Sequence, residues 1–157
     1  TGNNHVTIGS PTGYFNSIVA DLTVTNMTTL HNLVGDTNGY LETGGRCDTV
    51  PNLLLVPVAL AIDGKRIIGA DGLAGTANND ANNFRDYKQV VCPYLTDTNA
   101  WFLQTDVPNG MKHFQRVALS NSSDGDFDTG NIRYKSRERY SFGWSDPLCI
   151  WGSPGST

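Results

Sequence analysis

Three cysteines, three histidines and a short run of alternating cations are the residues of this chain whose types could do chemistry. Cys47, Cys92 and Cys149 are odd in number and show no CxxC spacing. Neither a complete disulfide framework nor a cysteine-only zinc site is indicated, and reduced thiols acting as small core hydrophobes are the simpler reading. His5, His31 and His113 lie far apart and form no local metal pair. Asp124, Asp126 and Asp128 imitate the start of a calcium loop, but Thr129 stands where that loop needs glycine and Lys135 where it needs glutamate. Gly64-Lys65 is followed by Arg66 and lacks the upstream glycine of a phosphate loop. Gly143-Trp144-Ser145 lacks the closing glycine of a nucleophile elbow. Asn26-Met27-Thr28 and Asn121-Ser122-Ser123 match the glycosylation triplet with no secretory context behind them. No paired carboxylates, triad or metal cluster stands out, and no cofactor is expected.

The cations are more concentrated. Arg133, Lys135, Arg137 and Arg139 place four of the chain's 11 Lys and Arg within seven residues. At period two they share one face of a strand, while Ile132, Tyr134, Tyr140, Phe142 and Trp144 share the other. A solvated strand face, or one paired with a neighbouring subunit, is the plain alternative to a nucleic-acid surface. Glu138 falls on the apolar face, where it needs a partner. The whole chain carries a net charge of −4, which repels phosphate, so contact with nucleic acid has to be local.

The elements that must position these residues are mostly strands and turns. Only 17% of the residues are charged, and Gly and Asn are abundant, which disfavours helical bundles and coiled coils. A chain of 157 residues is long enough for one self-sufficient core. No apolar run approaches the roughly 18 residues that a membrane span requires. Met27, Leu30, Leu33 and Val34 recur at helical intervals, with caps expected at Thr25 or Asn26 and Gly35 closing the helix. Leu53 to Val56, between Pro51 and Pro57, predicts a strand buried on both faces, and Pro57 opens a helix carrying Val58, Leu60, Ala61, Ile67 and Ile68. Residues 69 to 83 hold almost no large apolar side chain and predict a long loop of the functional or disordered kind. Strands follow at 87–92, 100–104 and 112–119. Pro108-Asn109-Gly110 predicts an antiparallel hairpin between the last two. Ser120 to Gly130 reads as a second polar loop, and Ile132 to Trp144 as a strand.

Taken in order, these stretches resemble a known family. Pro51-NLLLVPVAL-Ala61, the Asn-rich loop, Tyr87-KQVVCPYLTDTNAWFLQTD-Asp106 and the ending Arg137-ERYSFGWSDPLCIWGS-Ser153 are similar to the later half of major capsid proteins of tailed bacteriophages, in particular the Mu-like head subunit group. The resemblance covers roughly residues 22 to 153. It implies a β-rich α+β fold, the axial-domain portion of the Hong Kong 97-type phage capsid fold. One domain over 1–157 is expected, its strands from about 131 to 157 returning toward the periphery. The N-terminal arm, extended loop and spine helix of the family have no counterpart in this chain.

The implied function is that of a structural, non-enzymatic subunit of an icosahedral phage head or prophage-derived shell, present as a fragment. It would form pentamers and hexamers when full length and reside in the virion after assembly in the host cytoplasm. Neither a membrane nor a small-molecule substrate is implied. On this reading Gly69, Asp71, Gly72, Gly75, Asn78, Asn79, Asn82 and Asn83 approach the capsomer axis. Arg133, Lys135, Arg137 and Arg139 face a neighbouring subunit or the packaged DNA. Two competitors remain. An all-β sandwich binding carbohydrate or protein predicts no strand-then-helix unit at 53–68. A hydrolase with dispersed catalytic residues around Cys92 or His113 and an Asp predicts a pocket with perturbed titratable groups.

Overall fold

The computed structural model describes residues 4–5, 14–37, 45–72 and 80–155. Two short antiparallel strands, β1 (Asn4–His5) and β2 (Tyr14–Phe15), come first. Helix α1 (Val24–Asn32) follows and runs on into a π-helical turn, Leu33–Thr37. Its N-cap is Thr23, not Thr25 or Asn26: the Thr23 hydroxyl accepts from the Asn26 backbone N–H at 3.2 Å. The expected caps sit one turn too late because the threonines inside the helix serve it differently. Thr28 and Thr29 donate to the carbonyls of Val24 and Thr25, four residues back. Gly35 does not close the helix but lies within the π-helical turn. Met27, Leu30 and Val34 form the apolar stripe, each with no exposed surface.

Strand β3 (Pro51–Val56) leads through a single 3₁₀ turn, Val58–Leu60, into helix α2 (Ala61–Gly69). Pro57 precedes that turn in extended conformation, so the helix begins one turn later than Pro57 suggests. Strand β4 (Lys88–Val91) then pairs parallel with β3, which makes β3–α2–β4 a crossover unit. Strand β5 (Trp101–Thr105) pairs antiparallel with β3 on its other side. Farther along the chain come β6 (Met111–Gly125), β7 (Ile132–Trp144) and β8 (Ile150–Ser153). β8 pairs antiparallel with β5 and completes a four-stranded sheet ordered β4-β3-β5-β8.

The register explains the core. Leu54 faces Leu103, and Leu103 faces Trp151, so one row of large side chains crosses three strands on one face. Trp101 and Val56 extend that row, and both are fully buried. Met27, Leu30 and Val34 from α1 join the same cluster, with Leu60, Ile67 and Ile68 packed against it. Each fully buried side chain of this size contributes about 1.5–3 kcal/mol. Three polar groups that enter the core are satisfied: Trp101 Nε1 donates to the Ala20 carbonyl, while Trp151 Nε1 and the Thr105 hydroxyl donate to the Leu148 carbonyl; the buried Thr49 hydroxyl has no partner among the described residues.

Gly64 lets α2 lie close on this face. A side chain there would come within 2.9 Å of Gln89 Nε2, which donates to the Ala61 carbonyl at 2.8 Å. The reverse face is half covered. Leu53, Leu55, Phe102 and Ile150 lie there at intermediate exposure. β3 is therefore buried on one face, not both, because α1 and α2 both feed the Leu54 side.

Two compact units emerge from the chain: 1–108 with 147–157, hereafter the sheet unit, and 109–146, the hairpin unit. The expected hairpin between 100–104 and 112–119 does not form. β5 spends both edges on β3 and β8, and β6 pairs antiparallel with β7. Asn109 does turn the chain, at φ 70°, a conformation that Asn tolerates better than most residues. Ser145 closes the stem, donating from its hydroxyl to the Asn109 carbonyl and from its N–H to the Gly110 carbonyl. Ser120 to Gly125 belongs to β6 rather than to a loop. Pairing with β7 overrides the weak strand preference of Asn121, Ser122 and Ser123. The register slips between Gln115 and Val117 and again between Val117 and Ser120, the sign of β-bulges that increase local twist.

Candidate functional site

The segment 69–83 is anchored at both ends of its described part. Gly69 ends α2, and Gly72 bridges Ala81 across the base of the loop. Asp71 pairs with Arg85 at 2.9 Å, with both side chains exposed. Asn82 is buried, which the sequence reading missed. Its side-chain amide donates to the carbonyls of Ile67 (2.5 Å) and Ala70 (2.9 Å), and its oxygen accepts from the Phe84 N–H at 3.0 Å. Asn82 thus satisfies orphan carbonyls at the C-terminal end of α2, and it holds the loop to the helix from which it leaves. Asn83 is exposed. Gly75, Asn78 and Asn79 lie outside the described residues. The signal in the sequence for Asn82 was thin: one Asn among four in a polar run carries no mark of its burial.

Beside this loop a small aromatic group forms. The Tyr87 hydroxyl lies 2.6 Å from His31 Nδ1, and Phe84 packs edge-on against both rings. Burial pushes the Tyr87 phenol well above its ordinary range, so it stays protonated. The contact ties α1 to the approach of β4.

The alternating strand is as expected: β7 spans Ile132–Trp144 and carries its cations on one side. Arg133 comes within 3.9 Å of Asp126. Lys135 stands opposite Ser122, Arg137 opposite Ser120 and Arg139 opposite Val117. Among the described residues no ion pair holds these three. β6 adds Lys112 and Arg116, so the stem stretches 111–123 and 132–144 hold six cations and one acid, Glu138. Glu138 is exposed, so its charge requires no protein partner. On the other face His113 stacks on Phe142 at a centroid distance of 4.9 Å, and Tyr140 meets both edge-on. The acids collect at the tip. There Asp126 accepts from the Thr129 hydroxyl and the Asp128 N–H, bonds that hold its carboxyl below the usual value.

Nothing in this arrangement assembles a catalytic constellation among the described residues. No group of three metal-ligating side chains occurs there. His113 meets rings rather than a carboxylate. The strand-then-helix unit at 51–69 argues against an all-β sandwich. No helix among the described residues is long and apolar enough to cross a membrane.

The described residues form a β-rich sheet unit, a polar loop held at its root by Asn82, and a long two-faced hairpin with exposed rings. The sequence pattern of the phage capsid protein family matches residues 2–152, nearly the whole chain, and the protein belongs to that family. No curated protein matches the chain. It is a structural capsid subunit of a bacteriophage, located in the virion and assembling into an oligomeric shell.

Proposed function

We propose that the sheet unit is the axial-domain portion of a Hong Kong 97-type capsid fold, and that the shell it builds is icosahedral, with pentamers and hexamers. The observation that carries this reading is the capsid-family match across 2–152 on a chain that folds as a crossover sheet. In this reading Gly69, Asp71, Gly72, Gly75, Asn78, Asn79 and Asn83 lie toward the capsomer axis, while Asn82 fixes the loop's root. The strands from about 131 to 157 return toward the periphery, and the subunit assembles in the host cytoplasm.

The cation face of β7 is the proposed contact with a neighbouring subunit or the packaged genome. Three cations without an ion-pair partner among the described residues repel one another in the free subunit, and an opposing surface of negative charge relieves it. The test is the triple variant Arg133→Ala, Arg137→Ala, Arg139→Ala, scored for particle yield and DNA content. Loss of either is expected with the fold intact by circular dichroism. Unchanged assembly and packaging contradicts the assignment of this face. A shell map with loop 69–83 remote from every symmetry axis contradicts the placement of the loop.

A further inference from the structure

One face of the hairpin gathers more positive charge than the β7 row alone. Opposed residues of an antiparallel pair share a face, so Lys112, opposite Gly143, joins Lys135, Arg137 and Arg139 on one side. Successive cations of β7 stand about 6.6–6.8 Å apart along the strand. Arg116 is the extra residue where the register slips between Gln115 and Val117, and bulges of this kind re-aim a side chain. It lines one open hollow together with Arg139 and Ser141. Ser122, opposite Lys135, adds a hydroxyl to the same face. Glu138, the one acid of the stem, falls at an even position and belongs to the aromatic face instead.

We infer that this face, with the hollow between Arg116 and Arg139, binds the phosphodiester backbone of duplex nucleic acid without reading its bases. The inference rests on the capsid reading, which supplies a packaged genome. A second copy of the sheet unit offers no row of acids to match the cations. No two of its ten Asp and Glu are closer than six residues in sequence. Asp63 is paired with Arg66 and Asp71 with Arg85, while Asp97 and Asp106 accept from the N–H groups of Asn99 and Val50. The chain's one period-two row of acids, Asp124, Asp126 and Asp128, lies at the hairpin tip, where Asp126 is engaged by Thr129 and Arg133. A duplex, by contrast, is a continuous row of anions, with a phosphate per about 3.4 Å of axis on each strand. The sheet unit, with ten acids against five cations, repels phosphate and leaves the hairpin as the contact. Lys, Arg and Ser groups that donate to phosphate fix position and carry no base information.

Two measurements test this contact. In the first, anisotropy of two labelled duplexes of unrelated sequence is titrated with the free subunit over a range of salt. Expected are equal affinities for the two duplexes and a log–log salt slope of about −4, from about 0.9 per phosphate engaged. Arg116 and Arg139 are exposed, so Arg116→Gln and Arg139→Gln leave the fold intact, and each is expected to flatten the slope by about 1. Lys65→Gln in α2 is expected to leave the slope unchanged. No binding at low salt, a slope indifferent to both hairpin variants, or a marked preference for one sequence overturns the inference. In the second, a benzophenone amino acid at Ser122 in assembled particles is expected to crosslink to nucleic acid. Crosslinks to protein instead, whether to the acidic tip of another hairpin or to a sheet unit, overturn it and give the face to a neighbouring subunit. Particles that assemble from a subunit that binds no DNA remove this contact and leave the capsid assignment standing. A folded subunit that binds DNA with the expected slope but never builds a particle keeps the binding face and removes the shell.

Discussion

The sheet unit and the hairpin unit solve the same problem in opposite ways. In the sheet unit, strands four to six residues long stack Leu54, Leu103 and Trp151 into one row beneath two helices, and the row is sealed. In the hairpin, strands of 15 and 13 residues run about 43–50 Å at about 3.3 Å per residue and leave both faces open. Backbone pairing is plentiful in both; only the first buries its side chains. The difference teaches that hydrogen-bonded strand length does not by itself make a core. The sheet unit buries a core of its own, and the hairpin leaves its large side chains exposed.

The largest effect that would break this comparison comes from the core row. Trp151→Ala is expected to cost about 3–5 kcal/mol of subunit stability in urea unfolding, against less than about 1 kcal/mol for Phe142→Ala on the hairpin. Equal losses would mean that the hairpin's rings are already buried in the free subunit. Next comes Asn82→Ala, which strips two carbonyls of α2 of their donor and is expected to cost about 1–3 kcal/mol. Hydrogen exchange at 66–70 is the readout, and unchanged protection there would show that the loop root does not depend on Asn82.

Two pH effects sharpen the contrast further. Tyr87 is neutral in the fold and its phenol is raised. Stability is therefore unaffected below the ordinary tyrosine value of about 10 and falls as pH rises past it, when only the unfolded chain readily ionises. Alkaline unfolding that Tyr87→Phe does not delay would contradict this. The smallest effect is at the hairpin tip. The lowered Asp126 carboxyl contributes stability that is present above the ordinary Asp value of about 3.9 and is lost as pH falls through its folded value. Local loosening of 126–131 in acid, with the sheet unit intact, is the expected NMR signature, and Asp126→Asn removes it.

What the sequence displays follows the same division. The leucine run at 53–56, the Pro57 junction and the period-two alternation of 132–144 were legible because each pattern belongs to one element and needs no partner to be read. The pairing of β5 was not legible. Pro108-Asn109-Gly110 is a turn, but whether the strand after it folds back on β5 depends on β8, nearly fifty residues on. Ser120 to Ser123 read as loop because its strand identity comes wholly from β7 across the ladder. Of the candidate loop residues, Asn82 differs from its neighbours only through the helix end it caps, which is fixed in three dimensions and has no trace in local composition. The stem cations were visible on β7 but only half counted, since Lys112 and Arg116 join them through the same pairing.

The most direct test of the account is hydrogen exchange measured on the free subunit and on the assembled shell. The account predicts that β3 and β5 are strongly protected in both states, while peptides from 111–125 and 132–144 exchange readily in the free subunit and become protected on assembly. A hairpin as protected as β3 in the free subunit, or one that gains nothing in the shell, would contradict it.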